Sequence, residues 1–297
     1  MFNIITPTYN RQHLIHRVYE SLMQQTYKGF NWIVIDDAST DDTEELIKKW
    51  QQETPDFNIE YYCLPHNQGK PEAVNFGFTK CHDDYIIIAD SDDTFVQNAL
   101  ADIKSIWDDI NTQNKNNIAA VWTLVLDEQN QIKGDKFPED KWQVSFKERV
   151  LDVKKELTGD KWTSWRADIL KAHPLYSDLK SHVEESQTWN RINKKYDFLC
   201  VNVAFLKAHV SPNSLITSKK SRKLVSRAGY YSAFYALKDV KTSEIIKYKY
   251  FRTQAFNYFK SWLFYSDKEL KLSFPKLIVC FFIFIVYMLK RLIRKLI

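Results

Sequence analysis

Over its first 130 residues the chain alternates short apolar runs with segments of helical period, and this alternation restricts the possible folds most. Residues 2–6, 31–35, 58–63, 84–89 and 118–126 read as strands, and 13–25, 42–52, 71–79 and 95–110 read as the helices between them. Strand–helix–strand repeats of this length build βαβ units, so the expected class is α/β, with a mostly parallel central sheet flanked by helices. Such sheets bind ligands beyond the carboxyl ends of their strands. Polar residues gather at those ends: Thr6-Pro7-Thr8-Tyr9-Asn10 after the first strand, Asp36-Asp37-Ala38-Ser39-Thr40 after the second, and His66-Asn67-Gln68-Gly69-Lys70 after the third. Four such exits on one face mark a site more firmly than any one of them.

The fourth exit is Ala89-Asp90-Ser91-Asp92-Asp93, directly after the apolar run Tyr85-Ile86-Ile87-Ile88. Asp90 and Asp92 stand two residues apart and project from one face of an extended chain. Their hard oxygen donors suit Mg²⁺ or Mn²⁺, ions that also coordinate substrate phosphates. A second role stays open, because Asp92 or Asp93 could cap the helix that follows. Only six glycines, and no G-x-G-x-x-G or Walker pattern, argue against a phosphate-cradling glycine loop. The four cysteines, Cys63, Cys81, Cys200 and Cys280, are widely spaced and are expected as reduced, buried thiols of a cytosolic protein. No export signal is visible at the N-terminus.

After residue 126 the pattern changes. Residues 127–160 are polar and poorly periodic, the pattern of a mobile insertion over the site. Order resumes at 161–166, with helices expected at 167–172 and 184–195 and a strand at 198–205. Charge is divided along the chain: residues 1–209 carry 24 Lys/Arg against 33 Asp/Glu, and residues 210–297 carry 18 against 4. A basic tail on an acidic body suits an anionic surface, either membrane or nucleic acid. Residues 277–289 are 13 uncharged, mostly large apolar residues between Lys276 and the basic run Lys290-Arg291-Leu292-Ile293-Arg294-Lys295. As a helix this run covers about 20 Å, short of the roughly 30 Å hydrocarbon core. An interfacial anchor on an anionic leaflet fits better, each basic residue there contributing about 1 kcal/mol. A buried terminal helix or a homo-oligomer interface is the alternative. A nucleic-acid arm does not need the unbroken hydrocarbon, so no nucleic-acid partner is expected.

Thr6-Pro7-Thr8-Tyr9-Asn10-Arg11, Val34 through Thr43, Asn67-Gln68-Gly69-Lys70 through Asn75, and Asp90-Ser91-Asp92-Asp93 resemble, in order and spacing, the family 2 glycosyltransferases, inverting enzymes of the GT-A fold. The resemblance covers about residues 2–210. It implies a catalytic domain over 1–210; the charge and apolar pattern of the remainder mark a basic, helical C-terminal extension over 211–297, whose segment 275–297 is expected to associate with membrane. It further implies transfer of a sugar from a nucleotide-diphosphate sugar, usually a UDP-sugar, to a saccharide or lipid-linked saccharide acceptor at the cytoplasmic face of the membrane, in bacterial surface polysaccharide or lipopolysaccharide synthesis. Thr6 and Tyr9 resemble the base-binding positions, Asp37 the carboxylate that accepts the base N–H, and Asp36 a structural or ribose-proximal neighbour. Asp92 would coordinate the Mn²⁺ or Mg²⁺ that bridges the diphosphate, and Asp90 would bind ribose or a metal-bound water. Lys70 would approach the phosphates, and His209 would be a third metal contact. Glu185, before Trp189-Asn190-Arg191-Ile192, is in register with the family's base, with Glu184 beside it. Trp162 and Trp165 could form a sugar platform or pack in the core. Two other classes are weighed: a nucleotidyltransferase, which would need a glycine-rich loop that Thr6–Arg11 lacks, and a non-catalytic membrane-binding protein.

Overall fold

In the computed structural model, all residues are described except 55, 83, 154, 178–182, 210–220, 268–269 and 297, together with the side chains of 294–296. The chain forms two compact units. The first comprises residues 1–145, 155–175 and 191–214, and the second residues 146–154, 176–190 and 215–297. The boundary expected at 210/211 lies outside the described residues.

The first unit is built on one nine-stranded sheet. Its strands are β1 (Phe2–Thr8), β2 (Phe30–Asp36), β3 (Asn58–Cys63), β4 (Tyr85–Ile88), β5 (Thr94–Phe95), β6 (Ile118–Leu126), β7 (Trp142–Val144), β8 (Lys161–Arg166) and β9 (Asp197–Lys207). Its spatial order is β3-β2-β1-β4-β8-β6-β9-β5, with β7 also paired to β9. The pairs β3-β2, β2-β1, β1-β4 and β6-β9 are parallel, while β8, β5 and β7 pair antiparallel to their neighbours. Six strands therefore run in one direction, as the alternation demands. Helices α1 (Gln12–Met23), α2 (Thr43–Glu53), α3 (Lys70–Lys80) and α4 (Ala99–Thr112) connect the early strands, and α5 (Ala167–Lys171) follows β8.

Helices cover the sheet, and its central strand β1 is buried along its whole length, with no exposed residue. Phe2, Ile4, Trp32, Val34, Ile87 and Trp107 are all essentially fully buried, and burial of each such side chain contributes about 1.5–3 kcal/mol. Helix α3 packs so closely on the sheet that a Cβ at Gly77 would fall 2.8 Å from Ile5 Cγ2. Both tryptophans of β8 are core residues, Trp162 against Phe95 and Phe205 and Trp165 against Phe198. Neither offers a sugar platform.

Three expectations change. The helix expected from residue 95 begins at Ala99, because Thr94 and Phe95 pair with Lys207 and Leu206 of β9. The segment 127–160, expected as a mobile insertion, is tied down where it belongs to this unit: Asp135 accepts from Thr158 N at 2.9 Å and Oγ1 at 2.7 Å and pairs with Lys155 at 2.8 Å. Of the cysteines, Cys81, Cys200 and Cys280 are buried thiols, but Cys63 is exposed at the end of β3.

The second unit contains α7 (Arg222–Leu237), α8 (Thr242–Lys247), α9 (Lys249–Trp262) and α10 (Phe274–Leu296), with a π-helical turn at Lys147–Leu151. Helix α6 (Ser186–Asn193) begins in it. Its core joins Tyr230, Leu237, Ile245, Phe251, Tyr258 and Cys280. The buried tyrosines are satisfied: the hydroxyls of Tyr230 and Tyr258 lie 2.9 Å apart, and Tyr230 donates to Leu270 O at 2.8 Å. Among the described residues no helix is long and apolar enough to cross a membrane.

Candidate active site

The first three strand exits are locked together by carboxylates and backbone amides. Asn10, after β1, and Ala38, after β2, adopt left-handed φ values of 52° and 63°, conformations that cost non-glycine residues about 1–2 kcal/mol and cluster at functional sites. Asn10 N donates to Ser39 Oγ at 2.8 Å, and Asn10 Oδ1 accepts from Thr40 N at 2.7 Å. Tyr9, one residue earlier, is 45% exposed, an aromatic ring presented at the exit.

Asp36 and Asp37 divide their work by orientation, as adjacent strand residues must. Asp36 is buried, accepts from Ser39 N and from Tyr61 Oη, each at 2.7 Å, and so holds the turn. Asp37 accepts from Gln68 N and Gly69 N, also at 2.7 Å each. It thereby joins the β2 exit to the loop that starts α3. Gly69 caps that helix with φ 91°, a conformation natural to glycine. Burial raises the Asp37 pKa above the ordinary aspartate value, and the two amide bonds and His66 only partly oppose it.

At the fourth exit the acidic run meets two cations. Lys70 Nζ lies 2.7 Å from Asp90 Oδ1, and Arg11 Nη1 lies 3.0 Å from Asp92 Oδ2 and 3.4 Å from Ser91 Oγ. Burial pushes the Asp90 pKa upward, but Lys70 and then Arg11 outweigh it and hold the carboxyl below its usual value. Asp93 has the opposite fate: burial, then the charges of Asp90 and Asp92, raise it well above the usual range. Its carboxyl is kept toward the neutral form.

The expected residues are distributed as follows. Tyr9, Asp37, Lys70, Asp90 and Asp92 all belong to the strand exits of the first unit. Thr6 does not open onto them: it is fully buried, and its hydroxyl accepts from Trp32 Nε1 at 3.0 Å. His209 lies after β9, with Nε2 3.1 Å from Thr94 Oγ1 and Nδ1 3.8 Å from Glu128 Oε1. Burial, then Arg17, lowers its pKa, which favours the neutral imidazole. Glu184 and Glu185 belong to the second unit at the start of α6, where Glu185 O accepts from Thr188 N and Trp189 N at 2.9 and 3.1 Å, and Ser186 Oγ donates to Glu184 Oε2 at 3.3 Å. Carboxylates there complement the helix dipole.

Asp90 and Asp92 have the chemistry to hold a divalent cation together with phosphate oxygens, a mode in which one or two carboxylates suffice. The protein's own cations already seat against both of them. Among the described residues no three His, Cys, Asp or Glu side chains form a ready-made metal cluster.

Two residues of this end stand in the first sequence motif without a role assigned to them there. Arg11 is the ion partner of Asp92, 81 positions away, a separation at which local pattern is silent. Thr8, the last residue of β1, is buried, and its hydroxyl finds no hydrogen-bond partner among the described residues. Such a group costs about 1–3 kcal/mol until a ligand or solvent satisfies it.

Residues 3–167 match the family described as Glycosyl transferase family 2. An uncharacterized glycosyltransferase of Rickettsia bellii is 40% identical over 98 residues, which are 33% of this chain but only 14% of that protein. A processive diacylglycerol beta-glycosyltransferase of Mycoplasma pneumoniae is similar over nearly the whole length, 25% identical over 309 residues covering 93% of this chain and 87% of that one. Among solved structures, Staphylococcus aureus TarS 1-349 in complex with UDP-GlcNAc shares the fold, with a TM-score of 0.63, 18% identity, and coverage of 95% of this chain and 79% of that one.

Proposed function

The chain belongs to glycosyl transferase family 2, and on that premise we propose that it is a metal-dependent inverting glycosyltransferase moving a sugar from a UDP-sugar to a saccharide or lipid-linked acceptor. One observation carries the reading: an exposed tyrosine ring, a buried carboxylate and two aspartates seated against two cations all occur at strand exits of one parallel sheet. A UDP-sugar presents the matching sequence of a flat base, a ribose and a dianionic diphosphate.

In this reading Tyr9 stacks on the uracil, whose N3–H donates to a remaining lone pair of Asp37. Lys70 and Arg11 neutralise the diphosphate, exchanging carboxylate partners for phosphate oxygens. Asp92, with Asp90 beside it, would hold the Mn²⁺ or Mg²⁺. When bound, that cation supplies Lewis-acid neutralisation of the charge growing on the leaving diphosphate. The acceptor hydroxyl oxygen bonds to the anomeric carbon as the bond to the diphosphate breaks, the diphosphate keeps the electron pair, and the hydroxyl proton passes to a carboxylate. That base is assigned to Glu185, with Glu184 as the neighbour to be tested against it. The diacylglycerol named for the Mycoplasma relative supports a lipid-type acceptor.

The test is release of nucleoside diphosphate from a panel of UDP- and GDP-sugars with Mn²⁺ or Mg²⁺ present, together with the anomeric configuration of the product. Activity with a UDP-sugar, inverted product, and loss of transfer in Asp92→Asn and Glu185→Gln with unchanged circular dichroism are expected. Full activity in both variants, or a retained configuration, would overturn the assignment.

A further inference from the structure

The outer side of α10 has a composition that no cover in the second unit explains. Only one side of the helix is packed. Cys280 is buried, and Phe284 and Tyr287 stack on Phe256 of α9 with ring centroids 5.6 and 5.4 Å away. These three recur at helical spacing and form the inner face. The remainder should be polar in a helix of a protein that meets only water. Instead Phe274 is 74% exposed, Phe282 64% and Leu289 54%, and Leu292 and Ile293, beyond the first two basic residues, are exposed as well. The end of α9 extends the same surface, with Trp262 and Leu263 beside Ile278 and Phe282 around an open apolar groove of about 440 Å³.

Charge identifies the occupant. The apolar run passes directly into Lys290 and Arg291, both exposed, and the sequence adds Arg294 and Lys295. At the α9 end Arg222 lies 3.9 Å from the centroid of Phe264. Across residues 210–297 Lys and Arg exceed Asp and Glu by 18 to 4. An apolar strip bordered by cations matches the interface of an anionic bilayer, acyl chains beneath phosphate headgroups. A second copy of this chain would bring a second set of the same basic residues, Lys290 and Arg291 among them, against the first, a poor match for such a strip.

We propose that α10 and the end of α9 form an interfacial binding face that lies in the plane of an anionic lipid leaflet, of the kind a cytoplasmic membrane presents, with Phe274, Phe282 and Leu289 in the acyl region and Lys290 and Arg291 at the headgroups. The face goes beyond the assigned sugar chemistry and does not depend on it.

The experiment is flotation of the full chain with vesicles of phosphatidylcholine alone or with about 30% phosphatidylglycerol, at low and high salt, with light scattering of the lipid-free protein alongside. Binding about tenfold higher on the anionic vesicles and weakened by salt is expected. The double variant Phe282→Asp/Leu289→Asp should lose flotation on both vesicles, while Lys290→Gln/Arg291→Gln should lose only the anionic preference. Circular dichroism and nucleoside diphosphate release are followed in each, so that failure of this face and failure of the catalytic assignment separate. Absent flotation on anionic vesicles overturns the proposal. So does unchanged flotation in folded Phe282→Asp/Leu289→Asp, or a dimer in solution that this variant dissolves while flotation persists.

Discussion

The strand-exit cluster of the first unit and the outer side of α10 in the second are both surfaces awaiting a partner, but they are made on opposite terms. At the exits, charges have named counterparts within about 3 Å: Asp90 with Lys70, Asp92 with Arg11, Asp37 with two amides. On α10 the exposed surface is defined by apolar area. Directional, charge-assisted contacts fail when a single group changes. Area-based contacts decline by increments with each residue lost. The first surface should therefore be brittle and the second graded.

Four measurements sharpen or break that contrast, in descending order of effect. Asp92→Asn should lower transfer by at least about 10²-fold, the scale of removing one electrostatic stabiliser from a transition state, with the thermal midpoint nearly unmoved. An equal loss with a soluble acceptor in Phe282→Asp would erase the distinction. Next, Asp37→Ala leaves the amides of Gln68 and Gly69 without their acceptor and should cost about 2–3 kcal/mol in urea unfolding, besides weakening UDP binding.

The third measurement is a pH dependence in the second unit. Burial pushes the Cys280 thiol from its ordinary value of 9.0 up to about 12. Between those values the folded chain keeps a proton that the unfolded chain has lost, so stability falls as pH rises across that window. The fall attributable to this thiol should reach about 1–2 kcal/mol near pH 10.5. Unfolding of wild type and Cys280→Ala, compared at neutral and alkaline pH, should show a shallower slope in the variant; parallel slopes would remove the thiol from the account. The smallest effect is Ala38→Gly. Relief of a left-handed alanine gains about 1–2 kcal/mol, and the looser unfolded chain offsets about 0.4–1, leaving a net stabilisation of about 0–1.6 kcal/mol by thermal melt.

The contrast also explains what could be read from the chain beforehand. Strands β3 and β6 run over the expected residues, and α1 to α3 fall within two residues of expectation, because apolar period is a local property. Tyr9, Asp37, Lys70 and the acidic run were visible for the same reason: each follows a strand within a few residues. What was missed depends on pairing across the chain. Strand β5 exists only through Lys207 and Leu206, and Arg11 gains its role only through Asp92. Thr6 went the other way. Its resemblance to a base-binding position implied a ligand contact, but its hydroxyl is already engaged by Trp32 from the adjacent strand. Of the second unit, the sequence showed the apolar tail and its basic end, but not the tyrosine core that ties α7 to α9.

The Asp37 bridge has a consequence for how this site tolerates change. Both of its contacts reach main-chain atoms, so nothing in the bridge depends on what side chain residue 68 carries, and Gln68 itself is exposed. Position 69 is different. There is room for a methyl group, whose nearest neighbour would be Pro71 Cδ at 3.9 Å, but the φ of 91° is one that side chains oppose. Two adjacent positions at the mouth of the site thus face unequal constraints. Residue 68 can drift and retune what enters, while residue 69 holds the frame that makes such drift harmless.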